Sequence, residues 1–296
     1  MLKNIFIFLF IVSLGFASSA RINVVTSYKY IGDIAQRIGA NKVYVYAIAP
    51  GNWDPHFVVP KPSYIMKLRR ADLLIINGGQ LEIGWMPPLI NQANNGRIQP
   101  GKDGFLDISQ LFKLIQKPQT TSRAMGDIHP DGNPHFNTDP YKVPLMAQAI
   151  SARLCKIDPK NTKIYRENEK IFLTKFRAKL KEWDKKLSSL KGTKVIEYHR
   201  LFDYLLNRYH IQIIDTIEPL PGITPTSSHI SEVINTVKNN NVKMIITSVY
   251  AARKPSEYIS KKTSIPVVVL PNDIGATSDA KDIFSLFDSI VSRLTK

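Results

Sequence analysis

Short apolar, β-branched runs bounded by turn residues recur along the chain: Ile22 to Thr26, Lys42 to Ile48, Leu73 to Asn77, Lys194 to His199, Ile211 to Ile217, Met244 to Val249 and Val267 to Leu270. Runs that are apolar at consecutive positions suit strands covered on both faces. Helical periodicity fills most of the intervals, so the pattern predicts an α/β chain with mainly parallel sheets flanked by helices. The runs fall into two clusters, separated by a segment of different character. From Asp158 to Leu190 the sequence predicts one helix, with Asp158 at the N-cap, Pro159 at the first helical position and Gly192 just past the end. Apolar residues at Ile164, Ile171, Phe172, Phe176, Leu180, Trp183, Leu187 and Leu190 keep three- and four-residue steps throughout. Such a helix is roughly 45 to 50 Å long, enough to lie across two lobes. The stripe could also serve a coiled coil, but a helix spanning two lobes needs it equally. The expected architecture is therefore two lobes joined by one long rigid helix: a first lobe over residues 21–156, the helix over 157–191 and a second lobe over 192–296.

The first twenty residues set the address. Lys3 precedes an apolar run from Ile5 to Phe16, and Ala17-Ser18-Ser19-Ala20 offers small residues to a peptidase. This predicts a secretory signal over residues 1–20, cut after Ala20, because the run is short of the ~20 residues a membrane span needs. The single cysteine, Cys155, excludes an intrachain disulfide and a Cys-rich metal site. It falls in the apolar helical pattern Leu145, Ala149, Ile150, Ala152, Leu154 and reads as a core residue. With no cysteine near the cut, a soluble periplasmic protein is expected rather than a lipid-anchored one. Removing the signal leaves 39 basic and 24 acidic residues, a net charge of +15. The basic residues are dispersed, as in Lys175, Lys179, Lys181, Lys185, Lys186 and Lys191, with no aromatic-interleaved groove, so no nucleic-acid partner is expected.

Three histidines carry the chemistry. His56 stands in Gly51-Asn52-Trp53-Asp54-Pro55-His56, His135 in Gly132-Asn133-Pro134-His135, and His199 at the end of the run Lys194 to His199. His56 and His135 share a plan: each follows a proline and precedes a Phe, with a further proline at Pro60 or Pro140. Ligands of open α/β sheets sit beyond the carboxyl ends of strands, so a site between the lobes would bring the three together. Neutral imidazoles suit Zn2+ first. A fourth, oxygen ligand is expected from Asp273 in Leu270-Pro271-Asn272-Asp273, after the last strand, although an aspartate there could equally cap a helix or close a turn. Three imidazoles and one carboxylate leave Mn2+ and Fe2+ open. A secreted zinc hydrolase could use the same histidines with Glu197 or Glu82 as base. Against it, the chain has neither a His-Glu-x-x-His pair nor a Gly-x-Ser-x-Gly elbow. The favoured reading is a binding protein, not an enzyme.

The ordered motifs resemble the solute-binding proteins of the zinc and manganese ABC importers over nearly the whole mature chain. Asp54-Pro55-His56 with Pro62-Ser63 matches the family's first histidine motif, and Asn77-Gly78-Gly79-Gln80-Leu81-Glu82-Ile83-Gly84-Trp85 resembles its Asn-Gly-x-x-Leu-Glu-x-Trp with one extra residue. Asn133-Pro134-His135 leading to Asp139-Pro140 matches the second motif, and His199 with Phe202 and Tyr204 the third. The resemblance implies a protein that captures a divalent metal ion between two lobes and passes it to a membrane permease; the rigid helix predicts small lobe motions, and a monomer is expected. Two departures stand out. Asn137 occupies a position where the family usually has Trp, and the long His- and acid-rich loop of zinc-specific members is absent. Only Asp127-Ile128-His129-Pro130-Asp131 precedes His135, with His129 as an auxiliary candidate ligand. His210 and His229 carry no motif and read as surface or loop residues.

Overall fold

The computed structural model describes residues 21–120, 126, 127 and 129–296; the predicted export signal at 1–20 lies outside them. Strands β1 (Ile22–Thr26), β2 (Val43–Ala47), β3 (Leu73–Ile76) and β4 (Phe105–Asp107) form one parallel sheet in the order β2-β1-β3-β4. Strands β5 (Lys194–Glu197), β6 (Gln212–Thr216), β7 (Met244–Ser248) and β8 (Val267–Leu270) repeat that plan as β6-β5-β7-β8. All seven apolar runs are strands. The edge strand β4 has no counterpart among them, because three residues with only Leu106 fully buried leave no periodic signal. In each sheet the strand order reverses about its first strand, β1 or β5, which opens a crevice at the carboxyl ends.

The predicted spine is present, with its ends tightened. An α-helix, here α5, spans Thr162–Leu187, and single 3₁₀ turns at Pro159–Asn161 and Ser188–Leu190 extend it to the predicted limits. Asp158 does not cap backbone N–H groups. Its carboxylate instead accepts from Asn161 Nδ2 and Tyr165 OH, both at 2.6 Å. Gly192 ends the segment at φ +81°, a conformation that costs a residue with Cβ. The buried face of α5 carries Tyr165, Phe172, Leu173, Phe176, Leu180, Trp183 and Leu187, whereas Ile171, expected in the stripe, is half exposed.

Helix α5 packs on α1 (Lys29–Gly39), α4 (Val143–Ile157) and α9 (Ile283–Leu294). Helix α9 touches β8 on one side and both α5 and α1 on the other, so the end of the chain returns across the spine. Its Phe284 and Phe287 interleave with Phe172, Phe176 and Trp183 at ring-centroid distances of 5.3 to 6.1 Å. Trp183 Nε1 donates to Asp288 Oδ1 at 2.8 Å, and Arg37 of α1 bonds Asp282 at the start of α9 at 2.9 Å. One continuous apolar core thus joins the first sheet, the spine, α9 and one face of the second sheet. Cys155 of α4 is partly buried against that core. Since Phe287 is fully buried at this seam, Phe287→Ala is expected to destabilise the protein by ~3 to 5 kcal/mol. Urea unfolding with an unchanged denaturant slope would show it, and a loss under 1 kcal/mol would mean the seam carries little.

Candidate metal centre

Four imidazoles converge beyond the carboxyl ends of the strands. His56 lies in the loop after β2, His135 opens the 3₁₀ turn Phe136–Thr138, and His199 follows β5 by two residues. His129 joins them from the segment before His135. His56 Nε2 stands 3.2 Å from His129 Nε2, and His199 Nε2 stands 3.3 Å from His135 Nε2. The His56 ring lies 5.1 Å from that of His135 and 5.5 Å from that of His199, centroid to centroid. Ring nitrogens of His56, His129 and His135 all fall within 4.8 Å of one another.

The echo between the two Pro-His motifs has a structural meaning. Asp54 Oδ1 accepts from the His56 backbone N–H at 3.0 Å, and Asn133 Oδ1 accepts from that of His135 at 2.9 Å. Each is an Asx turn closed over a proline, whose fixed φ stiffens the loop. Both proline carbonyls are gripped by first-lobe side chains. Tyr28 OH and Trp85 Nε1 donate to Pro55 O at 2.9 and 3.1 Å, and Asn77 Nδ2 donates to Pro134 O at 3.1 Å. Behind Asn77, the Glu82 carboxylate accepts from the backbone N–H groups of Asn77 and Gly78 at 2.7 and 3.0 Å. Gly78 has φ +79° and a Cβ there would strike the Asp107 carboxylate, so this turn admits only glycine.

Carboxylates orient two of the rings. His56 Nδ1 bonds Asp54 Oδ1 at 2.8 Å, and His199 Nδ1 bonds Glu218 Oε2 at 2.8 Å. An Nδ1–H held by a carboxylate leaves the Nε2 lone pair facing the centre and raises its donor strength. Burial opposes ionisation of Asp54, yet its hydrogen bonds from His56 hold the carboxyl below its ordinary value. His135 is buried, and its pKa is driven well below the ordinary histidine value by desolvation first, then by the charges of His56, His199 and His129. The same causes lower His129 to about 3. A crevice of about 470 Å³ opens onto His129, His135 and His199, with Asp127, Glu218 and Pro221 along its wall.

Asp273, expected as the fourth ligand, has its carboxylate hydrogen-bonded to backbone. Its Oδ1 accepts from the N–H groups of Tyr30 and Ile274 at 2.8 and 2.7 Å, and its Oδ2 from that of Lys29 at 3.0 Å. Both oxygens are therefore engaged at the start of α1, which has no side-chain cap of its own. Burial lifts its carboxyl to about 7 against those three donors. Glu82 and Glu197, the bases a hydrolase would need, are likewise turned away. Burial lifts Glu82 to about 7 and Glu197 well above its ordinary value, and Glu197 Oε1 accepts from Phe202 N–H at 2.9 Å. His210 sits exposed in a turn, and His229 Nε2 bonds Thr216 O at 3.0 Å, both outside the cluster. Asn137, in place of a tryptophan, donates to Asn272 O at 3.0 Å and so ties the two lobes behind His135.

Comparison with known proteins places the chain in a class. The family described as zinc-uptake complex component A, periplasmic, matches residues 24–296, and the chain belongs to that family. It is a metal ABC transporter substrate-binding protein, a class that works with a membrane permease. The chain is 25% identical over 256 residues to the manganese ABC transporter substrate-binding lipoprotein scaA of Streptococcus gordonii, covering 85% of this chain and 79% of that one. Identity is again 25% over 256 residues to the iron ABC transporter substrate-binding lipoprotein MtsA of Streptococcus pyogenes serotype M1, with the same coverage. The crystal structure of a ZnuA deletion mutant with zinc bound superposes with a TM-score of 0.77 at 25% identity, covering 93% of this chain and 97% of that one.

The depressed pKa values of His129 and His135 fix a sign. On acidification the unfolded chain, with histidines near ~6.5, binds protons before the folded one does. Stability of the metal-free protein is thus intact above about pH 6.5 and falls as pH drops toward the folded values. A decline in melting temperature from pH 7 to 5, shallower in His135→Asn, is the expected result; a flat profile would contradict the burial of these rings.

Proposed function

We propose that this protein captures one divalent transition-metal ion, Zn2+ first, through His56, His129, His135 and His199, and hands it to the permease of an ABC importer. The observation that carries the reading is the gathering of four imidazoles, with Nε2 atoms 3.2 Å apart in the pair His56–His129 and 3.3 Å apart in the pair His135–His199. A tetrahedron of Zn–N bonds of 2.0 to 2.1 Å has ligand edges of about 3.3 to 3.4 Å. His129 takes the corner expected of Asp273. An all-nitrogen set favours Zn2+ over Mn2+, which prefers carboxylate and water oxygen. Relatives named for manganese or iron keep those ions as competitors.

A closed four-coordinate shell binds, whereas a catalytic zinc keeps one position open for water. Binding requires neutral imidazoles, so affinity should weaken on acidification. We place the protein in the periplasm as a soluble monomer, freed once residues 1–20 are cut. Loading is expected to move the lobes little, because contacts cross between them close to the site. Arg208 grips Asp139 with two bonds of 2.6 and 2.7 Å, and Tyr204 OH donates to Asn133 O at 2.7 Å.

Chelator competition separates the ligands from their neighbours. His56→Ala, His129→Ala, His135→Ala and His199→Ala should each lose tight Zn2+ binding, while Asp273→Asn and His210→Ala keep it. Glu218→Gln should weaken binding by roughly 10- to 100-fold through loss of ring orientation. Mn2+ should compete poorly. Wild-type affinity in the His56, His135 and His199 triple variant would sink the proposal, and loss in Asp273→Asn with none in His129→Ala would restore the carboxylate as fourth ligand.

A further inference from the structure

A second crevice, of about 550 Å³, lies at the carboxyl ends of β7 and β8 and shares no lining residue with the one at the histidines. Thr247 and Ser248 end β7, Arg253 and Ser256 lie in the first turn of α8 (Arg253–Thr263), and Arg293 reaches in from α9. Asn52, four residues before His56, closes it from the first lobe.

Two features distinguish this crevice from ordinary surface. Thr247 and Ser256 line the cavity as residues that are 94% and 99% buried, and their hydroxyls, set into its wall, have no hydrogen-bond partner among the described residues. Buried polar atoms are rarely left unpaired, so such hydroxyls call for an occupant. The hydroxyls of Ser248 and Thr277 also lack close partners, but each has a neighbour to turn to, Tyr250 and Asp279 respectively, and they count for less. Independently, the start of α8 has no side-chain cap, which leaves the N–H groups of Arg253 and Lys254, ahead of Pro255, and the positive dipole end without a side-chain acceptor.

The charges select the ligand. Arg253 is exposed at the rim and makes no ion pair among the described residues, while Arg293 is already held by Asp279 at 3.2 Å. Glu257 opposes them from the second turn of α8. Hydroxyl donors, a free guanidinium and an uncapped helix start are the donor set for a tetrahedral oxyanion, and the cavity has room for more than a bare ion. We propose that this crevice binds a small phosphate compound, either inorganic phosphate or a phosphate monoester. An occupant there would touch Asn52 of the first lobe and Ser256 of the second.

Calorimetric titration of the full mature chain with inorganic phosphate and with glycerol 3-phosphate, at constant ionic strength in chloride, tests this. Saturable binding of at least one is expected. Arg253→Ala and Ser256→Ala should each weaken it by roughly tenfold or more, as for a hydrogen bond to a charged group. Glu257→Gln should tighten it. Stronger binding of glycerol 3-phosphate would assign the monoester, and binding of phosphate alone the free anion. His135→Ala should leave it unchanged, which separates this site from phosphate held on a bound metal. The absence of saturable binding by both compounds, or binding indifferent to Arg253→Ala and Ser256→Ala, would overturn the proposal.

Discussion

The packing of α9 across the spine is the constraint on which the rest depends. Two four-stranded sheets with the same strand order could be joined by α5 alone and still swing about its end. Phe284 and Phe287 prevent this by filling the space between α5 and α1, so that the second sheet is attached to the first lobe at two places in the chain. Full burial of Phe287 contributes ~1.5 to 3 kcal/mol, the partly buried Phe284 adds less, and the polar ties at Trp183 and Arg37 fix the register of α9 along the helices. The carboxyl ends of both sheets then face a shared crevice. Only with the sheets so fixed do His199 and the Pro-His loops meet at hydrogen-bond distance.

Within the crevice, rigidity is supplied by a different means. Loops cannot pack as helices do, so Asp54 and Asn133 close them on themselves while tyrosine, tryptophan and asparagine side chains grip the proline carbonyls. Asp54 and Glu218 then set the rings. The cost of desolvating His135 falls on its protonated form, since burial penalises charge far more than it penalises a neutral ring. The same burial that depresses protonation leaves the lone pairs available for a cation. Stability and ligand capacity thus follow one variable, the neutrality of the cluster.

Much of this was legible in the sequence, for reasons that can be named. Parallel strands buried on both faces leave contiguous apolar runs, so seven of eight strands were visible; β4, short and at an edge, was not. The spine showed because 26 helical residues repeat one period. That α9 would lie on it did not show, since an amphipathic helix does not name the surface it covers. Asp54 was visible as part of a motif, but Glu218 was not, and its reason is tertiary. Parallel pairing sets Glu197 beside Thr216, which places residue 218 next to residue 199. No local pattern encodes that register.

The hydrogen bonds that engage Asp273 follow from the same physics. An aspartate after the last strand of a parallel sheet has two uses, to face a cation or to accept from the nearest uncapped helix. Here α1 begins after Tyr28, which offers no side-chain acceptor, and the N–H groups of Lys29 and Tyr30 are close enough to claim both carboxylate oxygens. Turning that carboxylate toward a metal would strip the helix of its cap, which is the reason His129 is proposed for the fourth corner. His129 reaches it from a short Pro-bounded segment, with His56 at 3.2 Å. In the proposed shell, His129 in place of a carboxylate removes a negative charge and replaces oxygen by nitrogen, and on this the proposed preference for Zn2+ over harder cations rests.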